Sequence, residues 1–545
     1  MTFFDVAQAP ASARLGRWAY VRGMSRVPFW LLLVPLWLGI TMWLRPLALP
    51  DEGRYVGVAW EILRSGQWLV PTVDGLPFFH KPPLFYWLSA ASMTVFGPWA
   101  WAARLPSLLA ATGAAYGLFA FLVRWSGRRV GISALVILVT CPGWFGGAQF
   151  ANHDMLVAAC IAASILLVTH AVLSRERALP FRAALLGGMA CAGAGVLTKG
   201  LIGVVLPLLV LTVWAVVSGR PKALALLFRP AGLLVFAAVV LPWFVITQIH
   251  YPGFFEYAFL QQQLQRFAAN GFNNVRPWWF YLPVVFVLTL PWSCWLITGR
   301  ARAGRLRAPT APGLQSLWWV WSLAVLLFFS IPQSKLVGYA MPALPAVAAL
   351  LGNALGGITV VSPRSGLARV AIAAATMCVL TTMAFAHFDH KSARDMAAAL
   401  NARFGRDDRI VMLDRYVYDA PFYLRARTHP FVVASWHDPA LRVGDGWQKE
   451  LLDAASFASA SDGNRLVDVA DALTMLCGST RRTWVIADPD APARYRWLSQ
   501  GQLVYRSERL AAWEFDMNAD AAPCGLALRP PSESAAEGSA ERGSP

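Results

Sequence analysis

Residues 153–173 read HDMLVAACIAASILLVTHAVL, an apolar run with a single carboxylate, Asp154, near its start. A helix of about 20 predominantly apolar residues crosses the hydrocarbon core of a bilayer, so this run predicts a membrane span. Comparable runs occur at residues 28–48, 100–123, 130–148, 229–249, 278–299, 316–332, 336–357 and 367–386, and residues 183–218 are long enough for two more. We therefore predict a mainly α, polytopic membrane domain with about eleven spans.

The composition agrees with a bilayer as the solvent. Of the 545 residues, 57% are hydrophobic and only 14% are charged, which departs from the balance of a soluble domain. The net charge of +17 comes from short basic clusters between apolar runs, a pattern that indicates membrane loops rather than a nucleic-acid partner. The seven cysteines have no CxxC or CxxH spacing, so they predict neither a zinc cage nor a disulfide framework.

The positions of Lys and Arg predict the orientation in the membrane. Basic clusters precede the first span and follow every second span, at residues 14–26, 124–129, 175–182, 220–229, 300–307 and 364–369. Loops rich in Lys and Arg stay in the cytoplasm. We therefore predict a basic cytoplasmic N-terminus over residues 1–27 and a transmembrane domain over residues 28–386, with a first outer loop at residues 49–99. Residues 84–97 are short for a span and are predicted to lie in the interface or to re-enter it.

The segment after the last predicted span differs in character. It contains 22 of the 30 acidic residues, all at or beyond position 387. A helix-like piece at residues 392–403 and strand-like pieces at residues 410–413, 431–435 and 484–487 predict a soluble α/β domain. We assign this domain to residues 387–528 and place it in the periplasm, outside the inner membrane.

Two further pieces of this segment have simple interpretations. Asp488-Pro489-Asp490 resembles the D-x-D of nucleotide-sugar enzymes, but at the end of a strand it favours a turn. Residues 529–545 are rich in Pro, Ser, Glu and Gly, a composition that predicts a disordered tail.

The carboxylates of the membrane half lie mostly on one side. Residues 1–386 contain eight of them, namely Asp5, Asp51, Glu52, Glu61, Asp74, Asp154, Glu176 and Glu256. Only Asp5 and Glu176 are cytoplasmic in the predicted topology. The same outer side carries the basic residues Arg54, His80, Lys81, Lys199, Arg266 and Lys335. Because a charge at membrane depth costs at least a few kcal/mol, we predict that these groups share a polar cavity at the outer surface.

The candidate carboxylates also have a structural interpretation. Asp51 opens an amphipathic segment, with Arg54, Glu61 and Arg64 opposite its apolar face, and this segment predicts an interfacial helix that Asp51 could cap. Asp154 could cap the fourth span in the same way. Glu52 beside Asp51, and a second carboxylate elsewhere on the same side, favour chemistry instead.

The candidate basic residues also have both a structural and a functional interpretation. Lys81 and Lys199 could simply extend toward the interface, and His80 could be an ordinary interfacial histidine or a metal ligand. Two lysines joined by Arg54 and Arg266 on one face favour an anion site.

Several sequence blocks match one family. They are Asp51-Glu52-Gly53-Arg54-Tyr55, Gly66-Gln67-Trp68-Leu69-Val70-Pro71, Pro77-Phe78-Phe79-His80-Lys81-Pro82-Pro83, Arg104-Leu105-Pro106-Ser107, Thr198-Lys199-Gly200 and Lys335-Leu336 with Tyr339. In these blocks the chain resembles the lipid A aminoarabinose transferases, which are part of the protein O-mannosyltransferase-like superfamily of membrane glycosyltransferases. The resemblance covers nearly the whole membrane domain and implies the C-type glycosyltransferase fold.

The resemblance also implies an activity and site residues. The implied enzyme moves a sugar, such as 4-amino-4-deoxy-L-arabinose, from a polyprenyl phosphate to lipid A or another envelope acceptor outside the inner membrane. Breaking the bond between sugar and phosphate develops positive charge on the sugar and negative charge on the phosphate. The implied catalytic carboxylates are Asp51, Asp154 and Glu52, and the implied contacts of the donor phosphate are Arg54, Lys81, Lys199, Arg266 and Tyr339.

The chain departs from the family pattern at two positions. The family carries Glu immediately before Lys-Pro-Pro and a His in a later block, and both are associated with a metal. This chain has His80 and Gln263 there. His80 can ligate a divalent metal of unknown identity, whereas Gln263 is a poor ligand.

Three other functions compete with this one. A related transferase could use another lipid-linked sugar and a glycan, lipid or protein acceptor. A transporter would place its charges near the bilayer midplane and often shows inverted repeats, and this sequence shows neither feature. A noncatalytic envelope scaffold would keep the fold without needing Asp51.

Overall fold

A computed structural model describes residues 29–265, 274–297, 311–355, 366–388, 391–442, 446–458, 465–477 and 481–516. The predicted N-terminal segment at residues 1–27 and the predicted tail at residues 529–545 lie outside the described residues. The described part is mainly helical and ends in a mixed β-sheet, so the predicted fold class is confirmed.

The membrane half consists mainly of α-helices. They are α1 (Leu33–Gly39), α2 (Asp51–Ser65), α3 (Leu84–Phe96), α4 (Ala100–Ser126), α5 (Arg128–Thr140), α6 (Pro142–Ala148), α7 (His153–Glu176), α8 (Arg182–Lys199), α9 (Ile202–Val217), α10 (Leu224–Leu227), α11 (Pro230–His250), α12 (Tyr281–Leu288), α13 (Trp292–Ile297), α14 (Leu314–Ser330), α15 (Leu344–Ala354) and α16 (Gly366–Phe388). This half also contains a π-helix at Glu256–Gln265 and 3-10 helices at Phe29–Leu32, Pro221–Ala223, Trp278–Phe280 and Val337–Ala343.

Several of these helices are long and apolar enough to cross a membrane. Within the described ranges there are five, namely α4, α7, α11, Val337–Ala354 and α16, and α5 with α6 would form a sixth span bent by 66°. Shorter apolar helices lie at Leu84–Phe96, Ile202–Val217, Trp278–Leu288 and Leu314–Ser330. The chain is therefore a multi-pass membrane protein, but the predicted count of eleven spans is not confirmed and stays a prediction.

Local sequence explains where some apolar runs are interrupted. The run at residues 130–148 breaks because Pro142 begins α6 and the residue before a proline avoids the helical conformation. Gly200 ends α8 with φ +78°, a left-handed value that a glycine adopts without strain. The break between the two predicted spans of residues 183–218 therefore falls at Thr198-Lys199-Gly200, as expected.

The C-terminal domain is built on a six-stranded sheet with the order β5-β4-β3-β6-β8-β7. Its strands are β3 (Arg409–Leu413), β4 (Phe431–Ala434), β5 (Leu466–Asp468), β6 (Thr483–Ala487), β7 (Gln502–Arg506) and β8 (Ala511–Phe515), after β1 (Thr72–Val73) and β2 (Leu76–Pro77) of the first outer loop. Its α-helices are α17 (Arg394–Leu400), α18 (Ala420–Tyr423), α19 (Trp447–Ala455) and α20 (Ala472–Cys477). Strands β3 to β6 pair in parallel and β8 pairs antiparallel with β6 and β7.

This domain agrees with the sequence interpretation in most details. The predicted strands are present, and Asp488-Pro489-Asp490 follows β6 in a turn. Cys477 is disulfide-bonded, although the cysteine spacing did not indicate a disulfide framework. Which cysteines pair cannot be deduced from the sequence alone.

Helix α2 lies between the membrane helices and the C-terminal domain. One hydrophobic cluster joins Val56 and Ile62 of α2 to Phe85 of α3 and to Val417 and Phe422 of the C-terminal domain. A Cβ added at Gly57 would lie 3.0 Å from the carbonyl oxygen of Tyr418, so a larger residue there would push the two surfaces apart.

The polar face of α2 differs from the prediction. The sequence predicts an interfacial helix with Glu61 and Arg64 on its solvent side. Glu61 is instead buried, and Arg64 donates to the backbone carbonyls of Arg427 and Thr428. The C-terminal domain covers this face, a contact between distant segments that helical periodicity does not reveal.

Candidate active site

A cavity of about 1040 Å³ opens between the membrane half and the C-terminal domain. Seven of the nine predicted site residues line it, namely Asp51, Arg54, His80, Lys81, Asp154, Lys199 and Tyr339. The C-terminal domain contributes the acidic residues Asp395, Glu450 and Glu508 and the basic residues Lys391, Arg415 and Arg509. The predicted shared cavity is therefore present, with a second wall that the sequence did not indicate.

Asp51 lies in the first turn of α2, directly after Pro50. Pro50 occupies the N-cap position of α2, and the Asp51 side chain is 50% exposed and lines the cavity. Partial burial raises the pKa of this carboxyl; Arg54 acts in the opposite direction, and the nearby Asp154 raises the pKa further. A raised pKa makes Asp51 a stronger proton acceptor.

Arg54 stands one helical turn beyond Asp51 and is held between two carboxylates. Its Nη2 lies 3.3 Å from Oδ1 of Asp51, and its Nη1 donates to Oε1 of Glu450 in α19. The guanidinium also lies 5.4 Å from the ring centroid of Tyr418. These contacts fix a positive charge beside Asp51 and connect it to the C-terminal domain.

Asp154 and Lys199 form an ion pair across α7 and α8. Asn152 caps α7, because its side chain accepts the backbone N–H of Asp154, so the Asp154 carboxylate does not have to act as the cap. Instead it accepts a hydrogen bond from Nζ of Lys199, which lies 4.5 Å from the ring centroid of Tyr339. Three predicted site residues from separate segments thus meet on one side of the cavity.

Lys81 and His80 follow the β1–β2 hairpin and face the same cavity. The His80 ring stacks on Phe78 with a centroid distance of 4.7 Å. Its Nδ1 lies 3.9 Å from Oε1 of Glu450, and its Nε2 lies 3.8 Å from Oδ2 of Asp453. His80 is therefore placed between two carboxylates of α19.

Glu52 is the predicted site residue that the structure places away from the cavity. It is fully buried and accepts hydrogen bonds from Arg104 and Arg45, and from the backbone N–H groups of Ala48 and Ala151. Although burial opposes ionisation, Arg104 and Arg45 lower the pKa of Glu52 to about 2. It joins separate segments of the chain, a role the sequence could not separate from chemistry because Asp51 and Glu52 are adjacent.

Arg266 and the side chain of Gln263 lie outside the described residues, so the predicted phosphate contact of Arg266 stays a prediction. The described side chains around His80 do not form a metal site. No group of three or more His, Cys, Asp or Glu side chains suited to a metal occurs in the part of the chain that the structure describes. The two nitrogens of His80 face different carboxylates, so these residues do not fit a shared metal site.

The sequence interpretation missed several residues of the cavity. Glu450 and Tyr418 reach Arg54 from the C-terminal domain, some 400 positions away along the chain. No short motif marks them. His153 could have been noticed in the sequence, because it directly precedes Asp154. Its ring is buried against Tyr55 and Tyr86, and neither ring nitrogen has a hydrogen-bond partner in the described residues.

The described part of the chain belongs to a multi-pass membrane protein whose helical half and mixed-sheet domain enclose one cavity. The sequence model described as dolichyl-phosphate-mannose-protein mannosyltransferase matches residues 80–246. The crystal structure of ArnT from Cupriavidus metallidurans bound to undecaprenyl phosphate superposes with a TM-score of 0.75 at 23% identity, covering 93% of this chain and 98% of that one.

Among named relatives, the chain is similar to the undecaprenyl phosphate-alpha-4-amino-4-deoxy-L-arabinose arabinosyl transferase of Erwinia tasmaniensis, with 32% identity over 59% of this chain and 58% of that protein. A second enzyme of that name, number 2 of Pseudomonas fluorescens, is 33% identical over 59% of each chain. The chain thus spans less than two thirds of the relatives it matches. The predicted resemblance to the lipid A aminoarabinose transferases is confirmed.

Proposed function

We propose that the protein is a glycosyltransferase that moves a sugar from a polyprenyl-phosphate donor to an envelope acceptor. The observation that carries the proposal is that Asp51, with a raised pKa, lines the same cavity as Arg54, Lys81 and Lys199. One carboxylate and three cations suit a reaction that takes up a proton and releases a phosphate.

In the proposed reaction an acceptor oxygen forms a bond to the anomeric carbon of the sugar. The bond from that carbon to the donor phosphate oxygen breaks, and the polyprenyl phosphate leaves with the electron pair. The proton of the acceptor hydroxyl passes to the carboxylate of Asp51. Lys81, Lys199 and Arg54 stabilise the negative charge on the departing phosphate through charge-assisted hydrogen bonds.

Relatives and neighbours suggest the donor. Both reported relatives are named for undecaprenyl phosphate and 4-amino-4-deoxy-L-arabinose, and the superposed crystal structure holds undecaprenyl phosphate. An apolar groove beside the cavity, lined by Trp243, Phe244 and Phe254 as well as Lys81 and Lys199, suits a polyprenyl chain next to its phosphate. We therefore propose aminoarabinose as the sugar and lipid A as the acceptor.

We further propose that the cavity faces the periplasm and that the protein resides in the inner membrane. The clustering of basic residues in alternate loops supports a cytoplasmic N-terminus. The disulfide at Cys477 supports an oxidising compartment for the C-terminal domain. Labelling of a single cysteine at exposed Arg394 in a cysteine-free background tests this: a membrane-impermeant maleimide should react from outside intact cells.

The activity is tested by reconstitution with a panel of polyprenyl-phosphate sugars. We expect the wild type to transfer at least one sugar and Asp51→Asn to lose at least 100-fold in kcat, within the roughly 100- to 10,000-fold contribution of a general base. The matched control is Asp471→Asn, which changes an exposed aspartate of the C-terminal domain. Full activity of Asp51→Asn would show that Asp51 is not the proton acceptor. Transport of a solute without sugar transfer would show that the protein is a transporter rather than a glycosyltransferase.

A further inference from the structure

Arg54 is shared between two carboxylates that belong to different halves of the protein. Asp51 approaches one guanidinium nitrogen from within α2, and Glu450 of α19 accepts from the other. Glu450 is itself buried, and its second oxygen accepts the hydroxyl hydrogen bond of Tyr418. Both oxygens of Glu450 are thus occupied, which fixes its charge beside Arg54 rather than in solvent.

The contacts with Asp51 and Glu450 leave one hydrogen-bond donor of Arg54 unpaired within the described residues. Its Nε is buried and has no hydrogen-bond partner among the residues that the structure describes. An arginine used only to join two domains would gain by satisfying all its donors, since an unpaired buried donor costs about 1–3 kcal/mol. The guanidinium is instead held by its two terminal nitrogens, with Glu450 on one of them and Asp51 on the other.

We propose that Glu450 is a positioning residue that draws Arg54 away from Asp51 and so keeps Asp51 basic enough to accept the proton of the acceptor. This inference rests on the proposed function. Without the negative charge of Glu450, the guanidinium would pair fully with Asp51. A carboxylate with an unshared cationic partner is a weaker base, because the partner stabilises its charged form.

The other charges that face Asp51 do not replace Glu450. Asp154 and Lys199 approach from α7 and α8, and they are paired with each other. Lys81 of the first outer loop lines the same cavity. Glu450 is therefore the carboxylate that competes with Asp51 for Arg54 among the described residues, and it is supplied by the C-terminal domain.

The test compares wild type, Glu450→Gln and Glu450→Asp in the full-length reconstituted protein. In Glu450→Gln the acid limb of the kcat profile should move to lower pH by about one unit, the shift of an opposite charge at close range. The plateau of kcat should fall severalfold, while KM for the donor changes little. Glu450→Asp keeps the charge and should return the acid limb toward that of wild type.

The matched control is Arg64→Met. Arg64 lies on the same helix and binds the same domain, but it does not line the cavity. Its loss should lower stability without moving the acid limb. If Glu450→Gln lowers activity equally at all pH values, as a domain-docking defect would, or moves the acid limb upward, the inference is wrong.

A second measurement separates this inference from the proposed activity. The carboxyl band that disappears in Asp51→Asn can be titrated by infrared difference spectroscopy in wild type and in Glu450→Gln. A lower titration midpoint in Glu450→Gln supports the inference even where no sugar of the panel is transferred, and an unchanged midpoint overturns it. Absence of transfer by wild type overturns only the proposed function.

Discussion

Arg104 and Glu52 form an ion pair that is completely shielded from solvent: Nε lies 2.9 Å from Oε1 and Nη2 lies 2.9 Å from Oε2. The remaining nitrogen of Arg104 donates to backbone carbonyls of residues 42 and 45. Through this pair, the segment between α1 and α2 is tied to α4, and α2 is held where Asp51 faces the cavity.

Glu52→Gln should therefore destabilise the protein without removing its chemistry directly. Breaking a buried pair by removing one charge costs about 3–5 kcal/mol. Thermal unfolding in detergent, followed by tryptophan fluorescence, should show a strongly lowered midpoint for Glu52→Gln and a near-normal one for the neighbouring Asp51→Asn. A stable Glu52→Gln protein without transfer activity would return Glu52 to the catalytic set.

The same pair predicts acid sensitivity. The pKa of Glu52 is lowered to about 2 in the folded protein from an ordinary value of 4.5. A lowered pKa contributes stability that is complete above the unfolded value and is lost as the pH falls from about 4.5 toward 2. The stability difference between wild type and Glu52→Gln should accordingly shrink over this interval.

Lys199 should contribute to donor binding, because it supplies a positive charge for the donor phosphate. Its removal also leaves Asp154 without a counter-charge. We expect Lys199→Met to lower kcat/KM for the donor by about 10- to 100-fold, the equivalent of one charge-assisted hydrogen bond, mainly through KM. The double variant Lys199→Met with Asp154→Asn should recover part of the KM. The control is Lys222→Met, at an exposed lysine outside the cavity.

The outcome with Asp154→Asn alone decides between two roles. A role in holding Lys199 predicts a moderate loss, whereas the catalytic role implied by the family resemblance predicts a loss as large as that of Asp51→Asn. Steady-state kinetics with a fixed acceptor concentration separates these results.

The sequence was sufficient to predict one wall of the cavity. Charges such as Asp51 and Lys199 are costly near a membrane, so their occurrence on one predicted side was informative. Glu450 carries no such signal, because an acidic residue in a soluble domain is ordinary. The burial of Glu61 was missed for a related reason: helical periodicity identifies two faces of α2 but not the domain that covers the polar one.

Chelators should leave transfer activity intact, because His80 faces Glu450 and Asp453 through different nitrogens and these groups do not converge on one point. Activity and metal content should be measured together before and after treatment with EDTA. Loss of activity that added Zn²⁺ restores would show that the His80 region binds metal after all.

Asp74 provides a test of the contact between the first outer loop and the C-terminal domain. It is fully buried, and neither carboxyl oxygen has a hydrogen-bond partner within the described ranges. Burial, with a smaller contribution from Glu61, raises the pKa of this carboxyl well above its usual value. For a carboxyl, a raised pKa means that the folded protein favours the neutral form and loses stability as the pH rises through that pKa.

Asp74→Asn removes the ionisation and should stabilise the protein at alkaline pH. The backbone of Asp74 is left-handed, with φ 54°, a conformation that asparagine tolerates well. We expect the variant to be more stable than the wild type at pH 8, and the gain to shrink as the pH falls. Asp414→Asn is the matched control, because Asp414 has φ 53° but pairs with Arg494 at 2.8 Å. It should show no gain, so equal stabilisation of both variants would assign the effect to the backbone rather than to the buried charge.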